Sequence, residues 1–210
     1  ASYKKSTAYV LLTDYISAIK SFRDVIKLFP QSNYLDDALF DLGNTYILSK
    51  DFDMSLKIFS QICREFPNSL FHSASTLKLG LVYYMQNEDQ LAVDVLKSVL
   101  AQYPNTNTSQ QALHIIKNIY SEIGQANQFL DLIKNIDHNY SDADLDSSTY
   151  SSSELQYMKG NYQNAISSFN SYLLYYPQGL FYLEANYYLY KSHEFVGDLE
   201  NAINALDNIV

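Results

Sequence analysis

The sequence contains a single cysteine, Cys63, so no disulfide can close within it, and its cysteine usage fits the cytosol and the bacterial periplasm equally. Cations are also scarce: 14 Lys and Arg face 23 Asp and Glu, for a formal net charge of −9. No Lys/Arg cluster offers the counterion release that nucleic-acid binding needs, which excludes nucleic acid and anionic membrane surfaces as expected partners. No apolar run approaches the ~18 residues of a membrane span, and no basic n-region with an apolar h-region opens the sequence. Gly-rich phosphate loops, Gly-x-Ser-x-Gly elbows and His-Glu-x-x-His are absent. His72, His114, His138 and His193 show no i, i+4 ligand pairing, and none forms a zinc or nucleophile pattern with Cys63. These absences argue against an enzyme, a cofactor or a metal site.

Proline is rare, at 4 residues, and regularly placed. Pro30, Pro67 and Pro104 stand 37 residues apart (67 − 30 and 104 − 67). The same step links Tyr9, Tyr46, Tyr83 and Tyr120, and links Gly43 to Gly80. A period of this size marks a repeat array, in which each unit buries its apolar face against its neighbours. With 210 residues, 47% of them hydrophobic, the chain can spread a large core along such an axis, and we read it as one domain.

Within residues 36–67, Leu39, Leu42, Gly43 and Tyr46 fall at i, i+3, i+4 and i+7, the stripe of a first helix with Asp36 as its N-cap. Phe52, Leu56, Phe59, Cys63 and Phe66 form the stripe of a second helix that starts near Asp51, and on this reading Cys63 is buried packing. Only Leu48 to Lys50 is left for a turn, so the two helices are antiparallel neighbours. Pro67 ends the second helix because it lacks an N–H and disfavours helical geometry in the residue before it.

This unit resembles a tetratricopeptide repeat. The family's pattern is matched by Leu39, Leu42-Gly43, Tyr46, the small residue Ser55, Phe59 and Pro67, with Ala18, Ala92, Ala165 and Ala202 as further small positions where two helices cross closely. The resemblance implies an all-α fold: a right-handed superhelical solenoid of antiparallel helix pairs. Six repeats cover the chain, at 1–30 (partial), 31–67, 68–104, 105–141, 142–177 and 178–210 (partial). Both end repeats fall mid-helix, so a segment of a longer repeat protein is expected. Repeat four places Phe129 at the small position and Ala126 in the place of Phe52, an exchange of large and small across the helix contact. It also replaces the proline with Ser141 while keeping Tyr140. Pro177 lies 36 residues after Ser141, a slip of one that falls either before or after the fifth repeat's first helix. Residues 141–153 are rich in Ser and Asp, which compete with the helical backbone for hydrogen bonds, so the array's softest junction is expected there.

The 37-residue period exceeds the family's ~34, and the excess follows the proline. The aromatic-Pro-Gln/Asn starts at Phe29, Phe66 and Tyr176 resemble repeats of bacterial cell-envelope proteins, such as the lipoprotein of the outer-membrane barrel-assembly machinery and the periplasmic partner of the Tol-Pal system. That resemblance implies a periplasmic or periplasm-facing location, with the cytoplasm as the alternative.

In this family the first helix of each repeat lines a concave face, at positions equivalent to Phe40, Asn44 and Ile47. Carried along the chain, these are Leu77, Leu81 and Tyr84; His114, Asn118 and Ser121; Tyr150, Glu154 and Tyr157; and Tyr187, Lys191 and Glu194. The lining is aromatic and amide-bearing, and the family's carboxylate clamp is not expected, because Asp37 and Phe40 stand where lysines are needed. The expected function is a non-enzymatic scaffold that holds a peptide or helix of a partner protein in this groove. The alternatives are a glycan- or peptidoglycan-binding module that uses Tyr84, Tyr150, Tyr157 and Tyr187, drawn from 20 tyrosines, and a spacer within a longer scaffold. Asp142, Asp144 and Asp146 alternate as at the start of a calcium loop. However, Ser147 stands where that loop needs Gly and Ser153 where it needs Glu, so the expectation is a solvated loop whose acids cap the next helix.

Overall fold

The computed structural model describes residues 2–136 and 141–209, without the side chains of Ala126 and Ile136. The described residues form twelve helices and no strand. In chain order they are α1 (Ser2–Leu11), α2 (Tyr15–Leu28), α3 (Leu35–Leu48), α4 (Phe52–Glu65), α5 (His72–Met85), α6 (Asp89–Gln102), α7 (Asn107–Glu122), α8 (Ala126–Ile136), α9 (Asp142–Met158), α10 (Tyr162–Tyr175), α11 (Tyr182–Val196) and α12 (Leu199–Asp207). This is an all-α repeat fold of helix pairs, odd-numbered helix first.

Its punctuation follows from local chemistry. Phe29, Phe66, Tyr103 and Tyr176, each before a proline or, for Tyr103 and Tyr176, before Pro104 and Pro177, are the C-caps of α2, α4, α6 and α10, with φ from −130° to −127°. Proline excludes the helical conformation from the residue before it, and each cap N–H closes its helix on the carbonyl four residues back. Within a pair the stop is different. Lys50 is left-handed (φ 62°); its N–H donates to the Ile47 carbonyl at 3.0 Å, and the Asp51 N–H donates to the Tyr46 carbonyl at 2.9 Å. Asp51 is also the N-cap of α4, its carboxylate accepting from the Met54 N–H, as Asp14 does for α2 and Asp198 for α12. One residue thus ends one helix and begins the next, which keeps the pair antiparallel.

The left-handed residue recurs at Thr13, Lys50, Asn87, Gly124, Gly160 and Gly197. The steps are 37 residues except for the 36 from Gly124 to Gly160 (160 − 124), so the slip lies before the turn that ends α9. The register that places Tyr150, Glu154 and Tyr157 in line with Phe40, Asn44 and Ile47 therefore holds. In the same register Gln156 and His193, both buried, take the place of Tyr46 in the last two repeats.

Three expectations need correction. Asp36 is not an N-cap: α3 begins at Leu35 after Tyr34, and the Asp36 carboxylate instead accepts the Ser69 hydroxyl of the next connector at 2.6 Å. Cys63 is half-buried, not core; the buried stripe of α4 is Ser55, Phe59 and Ile62. The Ser/Asp-rich stretch is no loop, since α9 runs through residues 142–158. Its hydroxyls are absorbed: Thr149 donates to the Leu145 carbonyl, Ser153 to the Thr149 carbonyl, and Ser121 of α7 to Ser152. Asp146, aligned with Asp36, accepts the Tyr172 hydroxyl at 2.6 Å and the Leu180 N–H at 2.7 Å. Tertiary burial thereby offsets the weak helix propensity of the segment. Tyr140 and His138 lie outside the described residues, as does the side chain of Ala126, although Phe129 is buried at its small position.

The chain divides into two compact units, 1–115 and 116–210, within α7. In the first unit each helix from α1 to α6 packs on the next; in the second, α9 to α12 pack in succession, with α8 against α9 and α10. Ala18, Ser55, Ala92, Ala165 and Ala202 are all buried where the paired helices cross. At Gly43 an added Cβ would stand 2.7 Å from Cζ of Phe59, and at Gly80 one would stand 2.6 Å from Cγ of Leu96, so here a glycine is demanded by close approach. The buried rings and aliphatics, each worth about 1.5–3 kcal/mol, form clusters around Phe22, Leu42 and Tyr46, around Leu39, Phe59 and Ile62, and around Phe169 and Tyr172.

Candidate functional site

The first-helix positions divide by unit. In the first unit, Phe40, Asn44 and Ile47 stand on α3, Leu77, Leu81 and Tyr84 on α5, and His114 on α7. Phe40 is half-buried: it meets Phe59 edge-on at 5.7 Å and stacks on Phe71 at 4.7 Å. Leu77 is buried at 7% exposure, so its area belongs to the core. Asn44, Ile47, Leu81 and Tyr84 are half-buried and His114 is exposed, leaving an amide, two aliphatic side chains, a phenol and an imidazole with surface to offer. Lys78 of α5 is half-buried with no ion-pair partner among the described residues, and burial pulls its ammonium below the usual lysine range.

In the second unit, Asn118 and Ser121 are half-buried on α7, and Ser121 is engaged with Ser152. Tyr150 departs from expectation. It is 6% exposed, with its ring stacked on Phe181 at 4.4 Å and edge-on to Tyr172 at 5.8 Å. Burial, then the nearby Glu154 carboxylate, pushes its phenol well above the tyrosine range. It is a core residue, because α9 is covered on that side by the connector before α11. Tyr157 is half-buried between Tyr162, Tyr188 and Phe195. Tyr187 is 47% exposed and keeps a free face beside Tyr188 and Tyr190. Lys191 and Glu194 bond each other at 2.8 Å, which raises the lysine and lowers the glutamate from their ordinary values. Most tyrosines of this unit therefore pack against one another, and Tyr187 and the edge of Tyr157 are what the aromatic lining retains.

Asp142, Asp144 and Asp146 lie in the first turns of α9, with Asp146 turned to Tyr172 and Leu180, so they do not form a calcium loop. Among the described residues no three His, Cys, Asp or Glu side chains are grouped to hold a metal ion, and no helix is long and apolar enough to cross a membrane.

Two features escaped the sequence reading. The longer connector makes two successive turns, with Ser69 N–H to the Phe66 carbonyl and His72 N–H to the Ser69 carbonyl, and this seats Phe71 on Phe40 and, in repeat five, Phe181 on Tyr150. An aromatic four residues after each of Pro30, Pro67 and Pro177 was the available signal. The second is an open cavity at the start of the first unit, between α1, α2 and α3.

Residues 37–69 and 74–106 match the family model described as Tetratricopeptide repeat. No curated protein sequence matches the chain. Among solved structures, the chain is similar to a tetratricopeptide repeat protein from Parabacteroides merdae ATCC 43184, with 17% identity and a TM-score of 0.57 over 99% of this chain and 78% of that one. It is also similar to the nearly identical TPR-like repeats of a putative kinesin light chain from Podosopora anserina, with 11% identity and a TM-score of 0.51 over 99% of this chain and 91% of that one. Two segments of the chain are thus similar to tetratricopeptide repeats, and its all-α fold is similar to that of solved proteins built from them.

Proposed function

We propose that the chain is a non-enzymatic protein-interaction scaffold that holds an extended or helical segment of a partner protein against its first helices. The observation that carries this reading is the set Asn44, Ile47, Leu81 and Tyr84: four half-buried apolar and amide-bearing side chains, at matching positions of α3 and α5, with Lys78 of α5 half-buried and without an ion-pair partner among the described residues. Apolar contact area with a few polar groups is what peptide capture needs. Tetratricopeptide repeats generally mediate protein–protein interaction, and the family match supports the reading. Asn44→Arg with Leu81→Arg should abolish capture of the partner from the source cell's extract while the helical circular-dichroism spectrum is unchanged; retained capture would sink the assignment. Phe40 and Leu77 are unsuited to this test, because truncating those two disturbs the core.

The resemblance of the long connector to cell-envelope repeats supports a periplasmic setting as part of the same proposal. Fusing alkaline phosphatase, which is active only after export, to the full natural gene product tests it: an inactive fusion would put the protein in the cytoplasm. The glycan reading now leans on Tyr187 and Tyr157, since Tyr150 is enclosed.

A further inference from the structure

In the second unit a cavity of about 610 Å³ opens among α7, α8 and α9, walled by Lys117 and Ser121, by Phe129, and by Asp144, Ser148 and Ser152. It lies between the fourth and fifth repeats, inside the array, and two departures from the repeat register account for its polar walls. Ser152 takes the place held in other repeats by Leu42, Leu79, Ile116 and Leu189, three of which are buried. Lys117 takes the place of Gly43 and Gly80. A branched aliphatic is thus exchanged for a hydroxymethyl group, which leaves unfilled volume, and a glycine for an ammonium group on the wall of that volume.

The walls hold unspent polar capacity. Ser121 donates to Ser152 at 2.7 Å, and the Gln156 carboxamide donates to the Ser121 and Glu122 carbonyls at 2.7 and 2.9 Å, so α7 and α9 are tied together beside the opening. In contrast, the hydroxyls of Ser147, Ser148 and Ser151, on the same wall, make no hydrogen bond among the described residues. Lys117, half-buried, has no ion-pair partner among them, and Asp144 accepts the Ser141 hydroxyl at 2.6 Å but pairs with no cation. Opposite charges therefore line one cavity without reaching each other. The register explains the gap. Lys117 and Ser148 stand one helical turn before the contact between Ser121 and Ser152, and Asp144 stands a further turn back, about 6 Å along α9 at 1.5 Å per residue. Phe129 and Leu145, both buried, supply an apolar wall.

A ligand with one net charge would meet attraction from one of these groups and repulsion from the other, and a wholly apolar one would strand both. We infer that the cavity binds a free α-amino acid with an apolar side chain, its carboxylate on Lys117, its ammonium on Asp144 and its side chain against Phe129 and Leu145. The serine hydroxyls, which donate and accept, complete the shell of the two charged ends. The volume is within the roughly 300–1,000 Å³ of small-molecule sites. Asn44 and Leu81 belong to the first unit, so the outcome of partner capture there leaves this inference untouched.

The chain contains no tryptophan, so L-tryptophan serves as a fluorescent probe without background from the same residue. It should bind saturably with a blue shift, and L-leucine should displace it. N-acetyl-tryptophan, which lacks the ammonium, and tryptamine, which lacks the carboxylate, should each bind about tenfold more weakly or worse. Lys117→Met should weaken L-tryptophan about tenfold and leave tryptamine unchanged, whereas Asp144→Asn should weaken L-tryptophan and leave N-acetyl-tryptophan unchanged, a crossed pattern that a merely structural role does not produce. Ser152→Leu, which restores the residue type of the other repeats, should fill the cavity and abolish binding. Absence of saturable binding at millimolar L-tryptophan and L-leucine, equal binding of the three indoles, or unchanged binding in Ser152→Leu overturns the inference. If Ser152→Leu does not fold, the crossed pattern of Lys117→Met and Asp144→Asn decides.

Discussion

Replacing Gly43 with alanine tests the packing argument at its tightest point. The added Cβ would lie 2.7, 2.8 and 3.1 Å from Cζ, Cε1 and Cε2 of Phe59, against the ~3.5–4.0 Å of a relaxed carbon contact. Phe59 is fully buried among Leu39, Ile62, Phe40 and Ile58, so its ring cannot swing away and α3 must move from α4 instead. Overpacking of this kind costs about 1–3 kcal/mol. The shift would also stretch the bond that the Ser55 hydroxyl donates to the Gly43 carbonyl at 3.1 Å, worth about 1 kcal/mol. Against this, alanine gains roughly 0.5–1 kcal/mol over glycine in a helix interior. The net expectation is a loss of about 1–3 kcal/mol, measured by urea unfolding with hydrogen exchange of α3 and α4 to localise it. In a Phe59→Ala background the clash is gone, and the same change should be neutral or stabilising. A Gly43→Ala protein as stable as the parent, or a penalty that persists without the Phe59 ring, would refute the reasoning.

Other substitutions probe separate links. Thr13→Gly should stabilise the first pair by about 1 kcal/mol, because a β-branched residue is held at φ 59° there, and thermal unfolding reads the gain. Tyr46→Phe should stabilise by about 1 kcal/mol, since the buried Tyr46 hydroxyl makes no hydrogen bond among the described residues; a loss in the same assay would mean that the hydroxyl is satisfied, with Arg23 over the ring as its partner. Asp146→Ala should cost about 2–4 kcal/mol by stranding the Tyr172 hydroxyl and the Leu180 N–H, and hydrogen exchange should show the loss in α9 to α11 of the second unit while α3 and α4 keep their protection.

Much of the fold is legible because the repeat is marked by residues whose effect is local. A proline stops a helix wherever it stands, and the aromatics before the four prolines become C-caps with nearly one geometry. The crossing positions are legible for a similar reason, as a small Ala or Ser stands there in every repeat but the fourth, where Phe129 takes the place. What was hidden depends on partners distant in sequence. Nothing near Lys50 or Thr13 announces a left-handed residue, because the turn is imposed by the two helices it joins. The serines and aspartates of α9 look like helix breakers until Ser121 is found to partner Ser152, and Tyr172 and Leu180 to partner Asp146. The site is legible only as a register. Periodicity names Phe40, Leu77 and Tyr150 alongside Asn44, Leu81 and Tyr187, but not which of them stay open: Leu77 is buried, and Phe40 and Tyr150 are covered by connector aromatics, a contact spanning 31 residues from Phe40 to Phe71 and from Tyr150 to Phe181.

The central claim is that the first helices, and not the outer second helices, hold a partner. A photo-crosslinking amino acid placed at Asn44 of α3, and in a parallel protein at the exposed Lys57 of α4, puts the two faces in direct competition within the source cell. Discrete crosslinked species from the position of Asn44 and none from that of Lys57 are predicted. Crosslinks from the position of Lys57 with none from that of Asn44 would contradict the claim.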